Sequence, residues 1–356
     1  MALAGQGKTK ATVAQLGFRA ACNQSLAAIV PDSKFNPGFL YWWLKNQYDP
    51  IRNLAGGDLR DGLNLTVLGD LTICCPPLEE QPAIAGFLDR ETSKIDALVA
   101  EQERLIALLK EKRKAVISQA VTKGLDLSVP MKDSGVEWLG EVPSGWTVAR
   151  IKDAGRLQGG AGFPHDQQGI SGEELPFYKV ANLGMSEDGF HIGESEHSVS
   201  YAVALQLGAK VIPTGSVLYA KIGAALLLNR RRVSPSPCCI DNNMTAFIPA
   251  DTKALTKWSW YWLSVLDFGR LANPGAVPSF SEGDQSIAPM LLPPISEQRA
   301  IVGYLDAQLS KLDALSSEAE QAIALLRERR AAVISAAVTG KIDVRDFAAS
   351  PEAQAA

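Results

Sequence analysis

The 356-residue chain has no uninterrupted apolar run long enough to cross a bilayer, which argues against a helical membrane span. Its first residues, Met1-Ala2-Leu3-Ala4-Gly5-Gln6-Gly7-Lys8, lack the basic-then-apolar order of a secretory signal. Histidine is scarce, with three residues at 165, 191 and 197. The five cysteines are an odd number, and four stand as adjacent pairs, Cys74-Cys75 and Cys238-Cys239, with Cys22 apart. Without C-x-x-C spacing they suggest neither a disulfide framework nor a structural zinc site, so the reading is a reducing cytoplasm and no metal. The net charge of −4 lacks the basic excess usual in a dedicated nucleic-acid binder, though it leaves room for a local basic surface.

Catalytic patterns are missing too. Gly5-Gln6-Gly7-Lys8-Thr9 resembles a phosphate loop, but the pattern needs glycine where Ala2 stands and a strand before it. There is no Asp/Asn-Pro-Pro-aromatic tetrad and no glycine-rich methyl-donor loop. Three scattered histidines make no hydrolase constellation. Glu79-Glu80 and Glu173-Glu174 read as helix-start or solvated charges. The expectation is a chain without catalysis and without a cofactor of its own.

What is present is a long repeat. Pro76-Pro77-Leu78-Glu79-Glu80-Gln81 opens a run ending at Ala120-Val121-Thr122, and Pro293-Pro294-Ile295-Ser296-Glu297-Gln298 opens its near copy, ending at Ala337-Val338-Thr339. The offset is a constant 217 residues, and about 30 of 51 paired positions are identical. So long a period describes two large modules, each followed by the same helix.

In the first copy the only proline after Glu79 is Pro82, tolerable in a first helical turn, and the only glycine is Gly86. Ile84, Leu88, Ile95, Leu98, Leu105, Leu109 and Val116 follow a heptad-like rhythm that Glu91, Gln102 and Lys112 interrupt. The second copy repeats it with Ile301, Leu305, Leu312, Leu315, Leu326 and Val333, with Gln308 and Arg329 among the interruptions. Forty residues of helix make a rod of about 60 Å. The expected arrangement is an antiparallel pair in which Ile84, Leu88, Leu98 and Leu105 face Ile301, Leu305, Leu315 and Leu326. The alternative is that each helix packs on its own domain.

The Pro-Pro-[Leu/Ile]-x-Glu-Gln start, Lys-[Ile/Leu]-Asp-Ala-Leu, Arg-x-Ala-Val-Ile-Ser and Ala-Val-Thr together resemble the specificity subunit of type I restriction-modification systems. Ser134 to Trp146 and Leu175 to Asn182 resemble parts of a target-recognition domain in that family, so the likeness covers almost the whole chain. It implies an α/β fold with two target-recognition domains, each reading half of a split sequence in double-stranded DNA, separated by two long antiparallel coiled-coil helices. It also implies docking of two modification (methyltransferase) subunits and of restriction (translocase and endonuclease) subunits. S-adenosylmethionine and ATP would be bound by those partners. On this reading residues 1–78 are a partial first recognition domain and 79–126 the first conserved helix. Residues 127–292 are the second recognition domain, 293–343 the second helix and 344–356 a flexible tail.

The two modules are unequal. Val217 to Gly223 aligns with Met1 to Gly7, Ala246-Phe247-Ile248-Pro249 with Ala28-Ile29-Val30-Pro31, and Trp260-Tyr261-Trp262-Leu263 with Tyr41-Trp42-Trp43-Leu44. About 80 residues, roughly Ser134 to Ser216, then have no counterpart in the first module. The expectation is that the start is misassigned, the gene truncated, or the missing half supplied by a separate polypeptide.

Basic side chains hold phosphates, while amides and arginines read base edges. The candidate DNA contacts are Lys8 and Lys10 in the first module. In the second they are Lys179, Asn182, Lys221, Asn229, Arg230, Arg231, Arg232, Asn242, Asn243 and Ser279. Each has a bland alternative as a surface or turn residue. The Trp258, Trp260, Tyr261 and Trp262 cluster reads as the core of a short helix rather than a stacking platform. On the residues alone, the competing class is a coiled-coil scaffold or adaptor whose end domains bind proteins.

Overall fold

The computed structural model describes residues 1–4, 9–54, 63–273 and 275–345. The chain forms two compact units, Met1–Leu108 with Ala314–Ala356, and Leu109–Asp313. Each repeated segment is one continuous helix, Gln81–Lys123 and Ile295–Val338. Each helix contributes to both units.

The helices run antiparallel in both units. In the first unit Arg330 pairs with Asp96 and Arg327 with Glu103, one index rising as the other falls. In the second, Arg113 pairs with Asp313, while Ala120 and Val121 share a buried cluster with Ile301 and Leu305. The seam differs from the expected one. Its buried and half-buried positions are Leu88, Thr92, Ile95, Val99, Gln102, Ile106, Leu109, Arg113, Val116 and Ala120, an unbroken alternation of four and three. The second helix repeats it from Leu305 through Leu309, Leu312, Ser316, Ala319, Ile323 and Leu326 to Ala337.

Leu98, Leu105 and Leu315 are off this seam and are 46%, 40% and 47% exposed. Each lies one residue, about 100° of helix, from a seam position. Leu326 is on it. Ile84 and Leu88 do not face Ile301 and Leu305 either. They pack with Phe39, Trp42, Ile334, Ala337 and Val338 in the first unit, because antiparallel pairing brings the start of one helix to the end of the other.

Each unit fastens a short aromatic helix to the long ones by the same contacts. In the first, Pro37–Asn46 starts after Asn36, whose side chain caps the amides of Gly38 and Phe39, and it buries Phe39, Trp42, Trp43 and Leu44. In the second, Thr256–Val265 buries Trp258, Tyr261 and Trp262. Gln81, fully buried, donates to Lys34 O at 2.9 Å and Pro76 O at 3.0 Å and accepts from Asn36 N at 2.6 Å. Gln298 repeats this with Lys253 O at 2.8 Å, Pro293 O at 2.9 Å and Leu255 N at 2.9 Å. Each glutamine thus satisfies three backbone groups. Trp42 donates its indole N–H to Asp89 at 2.9 Å, and Tyr261 its hydroxyl to Asp306 at 2.8 Å, at matching places in the repeat.

The second unit has an antiparallel four-stranded sheet in the order Gly155–Gly159, Met244–Pro249, Val217–Ala220, Arg231–Val233. A separate ladder pairs Thr147–Arg150 with Pro289–Leu292. The four-residue helix Ile151–Ala154 joins the first strand of that ladder to the first strand of the sheet, burying Ile151 and Ala154 completely. A smaller sheet sets Leu175–Tyr178 between Ser198–Val199 and Cys239–Ile240.

The first unit keeps less of this. Ala2 pairs with Leu26, and Ala2 also exchanges backbone hydrogen bonds with Ala11 and Thr12. These three segments correspond to Val217–Ala220, Met244–Pro249 and Arg231–Val233. Among the described residues nothing corresponds to Gly155–Gly159 or to Thr147–Arg150. Val30 is accordingly 85% exposed, and Leu16, Phe18, Leu26 and Ile29 are exposed with it, whereas Phe247 at the place of Ile29 is fully buried.

Candidate nucleic-acid interface

In the second unit the candidate residues fall into two groups, those on the surface and those that build it. Asn229 has a left-handed backbone, with φ of 52°, and its amide donates to Leu266 O at 3.0 Å. Its Oδ1 accepts from Arg231 Nη2 at 2.6 Å. Arg231 is buried, its guanidinium carbon 3.5 Å from the Phe268 ring centroid and 5.2 Å from that of Tyr219. Burial pulls its pKa down to about 9, while the Tyr219 hydroxyl and Asp267 act in the other direction. A side chain held in this way cannot also reach DNA, so the expectation that Arg231 is a contact is corrected. It is a core residue because its strand partner Tyr219 and the distant Phe268 form a cage at that register.

Asn182 is corrected in the same way. It is buried, accepts from Lys179 N at 2.8 Å and donates to Glu194 O at 2.8 Å, so it staples a turn. Lys10 is buried beside Ala11, itself in a left-handed conformation with φ of 69°. Lys8 lies outside the described residues.

The remaining candidates line a rim that backbone hydrogen bonds hold together. Asp241 N bonds to Tyr178 O, Lys221 N to Asn243 O and Phe280 N to Lys221 O. This links the neighbourhoods of Lys179, Asn242, Asn243, Lys221 and Ser279. Lys179 donates to Gln168 at 2.6 Å and lies 5.5 Å from the Phe163 ring, which is stacked on Phe177 at 3.9 Å. Lys221 pairs with Glu282 at 3.1 Å. Asn242 is exposed. Arg230, also exposed, lies against Gly184, where an added Cβ would come 2.6 Å from its guanidinium. Arg232 is half-buried, donates to Arg231 O at 2.7 Å, and has its pKa lowered by burial.

Sequence reasoning missed Phe163 and Gln168, which position Lys179. It also missed a groove lined by Lys152, Asp153, Arg156 and Lys253 beside Ile248 and Pro249. No local motif signals that groove, since Lys253 comes from a segment distant in the chain from Lys152 and Arg156. Among the described residues no group of His, Cys, Asp and Glu is placed to hold a metal, and no helix is long and apolar enough to cross a membrane.

Residues 3–107 match the family described as type I restriction modification DNA specificity domain. Over 325 residues the chain is 24% identical to a putative type I restriction enzyme MjaX specificity subunit from Methanocaldococcus jannaschii, covering 88% of this chain and 70% of that one. Over 337 residues it is 20% identical to the EcoDI specificity subunit of Escherichia coli, with 88% and 72% covered. Over most of its length the chain is similar to type I restriction-modification specificity subunits.

Solved structures agree at the level of fold. The HsdS subunit from Thermoanaerobacter tengcongensis superposes with a TM-score of 0.51 at 20% identity, over 86% of this chain and 71% of that one. A chain from a structure on complex assembly and conformational transition of the type I R-M system gives 0.61 at 23% identity, over 85% and 70%. In each unit the repeated glutamine and aspartate contacts hold the short aromatic helix and the segment before it on the long helix.

Proposed function

We infer that this chain is the DNA sequence-specificity subunit of a type I restriction-modification complex and performs no catalysis itself. It addresses a bipartite double-stranded target, one half-site per module, and docks two modification subunits and, in the full assembly, restriction subunits. S-adenosylmethionine and ATP act on those partners. The observation that carries this reading is the duplication of one fastening scheme, Gln81 with Asp89 and Gln298 with Asp306, at two different recognition modules. A chain built this way presents two surfaces on one type of mount. In the second module the reading surface is the rim of Lys179, Arg230, Lys221, Asn242, Asn243 and Ser279, with phosphates met by the cations and base edges by the amides. Lys152, Arg156 and Lys253 add sequence-independent attraction.

The test is co-expression with modification subunits, followed by methyl transfer from labelled S-adenosylmethionine to a random-sequence DNA library. Enrichment of one sequence that depends on this chain supports the reading. Methylation unaffected by the chain, together with binding of proteins but not DNA, would leave the adaptor alternative.

A further inference from the structure

In the second unit, residues 221–230 join the antiparallel strands Val217–Ala220 and Arg231–Val233 across one end of the sheet. Such a connection is ordinarily polar, and this one has an apolar tip. It contains a single turn of helix, Ala224–Leu227, entered at Gly223 with φ of 75° and followed by Asn229 with φ of 52°. Leu226 is buried in the core cluster that holds Tyr219 and Phe268, whereas Leu227 and Leu228 are 56% and 58% exposed. Ile222, just ahead of the helix, is exposed as well.

The tip is held at both ends. Gly223 N bonds to Pro278 O at 2.8 Å, and Asn229 N closes the turn onto Leu226 O at 3.1 Å. The Asn229 side chain donates to Leu266 O and accepts from Phe268 N and from the Arg231 guanidinium. Burying that cation is costly, and the side chain it bonds is the one that ends the tip. A Cβ added at Gly269 would come 3.3 Å from Leu227 Cδ2, so this leucine lies against the turn Phe268–Leu271. Cations flank the leucines: Arg230 follows them and is exposed, as is Arg270, beside Gly269. Lys221 precedes Ile222, which is bridged to Ser279. The apolar tip thus interrupts the rim of Lys221, Arg230 and Ser279 rather than standing apart from it.

We propose that Leu227 and Leu228 are specificity-determining residues that read thymine, by contact with its methyl group in the major groove; this rests on the DNA-reading function proposed above. A side chain with neither donor nor acceptor distinguishes only an apolar feature of a base edge. In the major groove that feature is the thymine methyl, and the minor groove offers none. The flanking cations suit a partner lined with phosphates. Two leucines also present far less area than the roughly 1,200 Å² that a stable protein interface buries. The clamp of Asn229 by Arg231 fixes the backbone, so the methyl is met by a tip already in place and little ordering is needed on binding.

The test uses the chain assembled with modification subunits and duplex DNA of the sequence that this complex selects. Each thymine is replaced in turn by deoxyuridine, which removes the methyl group and keeps the pairing. At one or two positions the replacement is expected to weaken binding about fourfold, the size expected of one buried methyl group. The double variant Leu227→Ala, Leu228→Ala is expected to bind the thymine and uracil forms equally at those positions, with the salt slope of the wild type. The proposal is overturned if no replacement weakens binding, or if the double variant discriminates as well as the wild type, since the methyl is then read elsewhere. It is also overturned if the double variant loses modification subunits while its thymine discrimination persists, which makes the tip a protein contact. A complex that selects no sequence at all refutes the proposed function itself, and this reading falls with it.

Discussion

Arg330 grips Asp96 with two hydrogen bonds, Nε to Oδ1 at 2.8 Å and Nη2 to Oδ2 at 3.2 Å. Shifting each residue by the repeat offset of 217 turns this pair into Asp313 and Arg113, which also form an ion pair. One interaction is therefore made twice with the roles of the helices exchanged, as a two-fold repeat of an antiparallel contact requires.

Asp96→Arg and Arg330→Asp should each lower stability, and the double exchange should recover most of the loss. These pairs are partly exposed, so the coupling should be about 0.5–1 kcal/mol and should shrink at high salt. A double-mutant cycle by urea unfolding measures it. Zero coupling at low salt would show that the pair only marks the register.

The buried glutamines should matter more. Gln81→Leu and Gln298→Leu each remove the partner of partly buried backbone groups, and the loss should cost about 1–3 kcal/mol. Exchange measurements should find the damage around residues 34–36 for the first and 253–255 for the second. Wild-type protection at those places in either variant would contradict the role given to the amide.

Seam positions can be separated from their neighbours by charge. Leu98→Asp should change stability by about 0.5 kcal/mol or less, as an exposed substitution does. Ile95→Asp and Leu312→Asp bury an unpaired carboxylate and should lose about 3 kcal/mol or more. Thermal unfolding of the three variants decides, and a Leu98 variant as damaged as Ile95 would place the seam through Leu98.

The arginines of the second module should divide by function. In the assembled complex, Arg230→Ala should weaken DNA binding across sequences and reduce the salt slope by about 1. Arg231→Ala removes the cation from its aromatic cage and should instead destabilise the folded chain by about 3 kcal/mol. Anisotropy titrations at several salt concentrations, beside urea unfolding, distinguish the two. A wild-type salt slope for the Arg230 variant would remove that residue from the interface.

The cysteines offer a check on burial. Cys238 and Cys239 are buried, which raises both thiols, Cys239 to about 11 and Cys238 further. Both should resist alkylation at pH 8 in the native chain, because thiolate is the reactive form and access is closed. Cys22, Cys74 and Cys75 are exposed and should react. Mass spectrometry after a short iodoacetamide pulse reads this directly; early modification of Cys238 would mean that the core opens.

The long helices, the aromatic helix Thr256–Val265 and the family were legible in the sequence, because each is written in local spacing or in a repeated string. The seam was only partly legible. Leucine at 98 and 105 drew the stripe one residue aside, while the true positions include Thr92 and Gln102, whose polarity hides them. Arg231 and Asn182 were misread for a different reason. Their burial is decided by Phe268 and Glu194, and no single-sequence pattern ties those residues to them. The groove of Lys152, Asp153, Arg156 and Lys253 was likewise invisible, since it exists only once the sheet is paired.

At matching places in the two modules an indole from Trp42 and a phenol from Tyr261 meet the same carboxylate of the repeat, Asp89 in one copy and Asp306 in the other. Two chemically unlike rings serve one acceptor, so within this chain the mount is the acid, and either an indole or a phenol can sit above it. Loss of the acid would leave the polar hydrogen of either ring without this partner. A graft that swaps one module for the other therefore has a simple compatibility rule: an indole or a phenol donor is acceptable, provided that the mount keeps its aspartate.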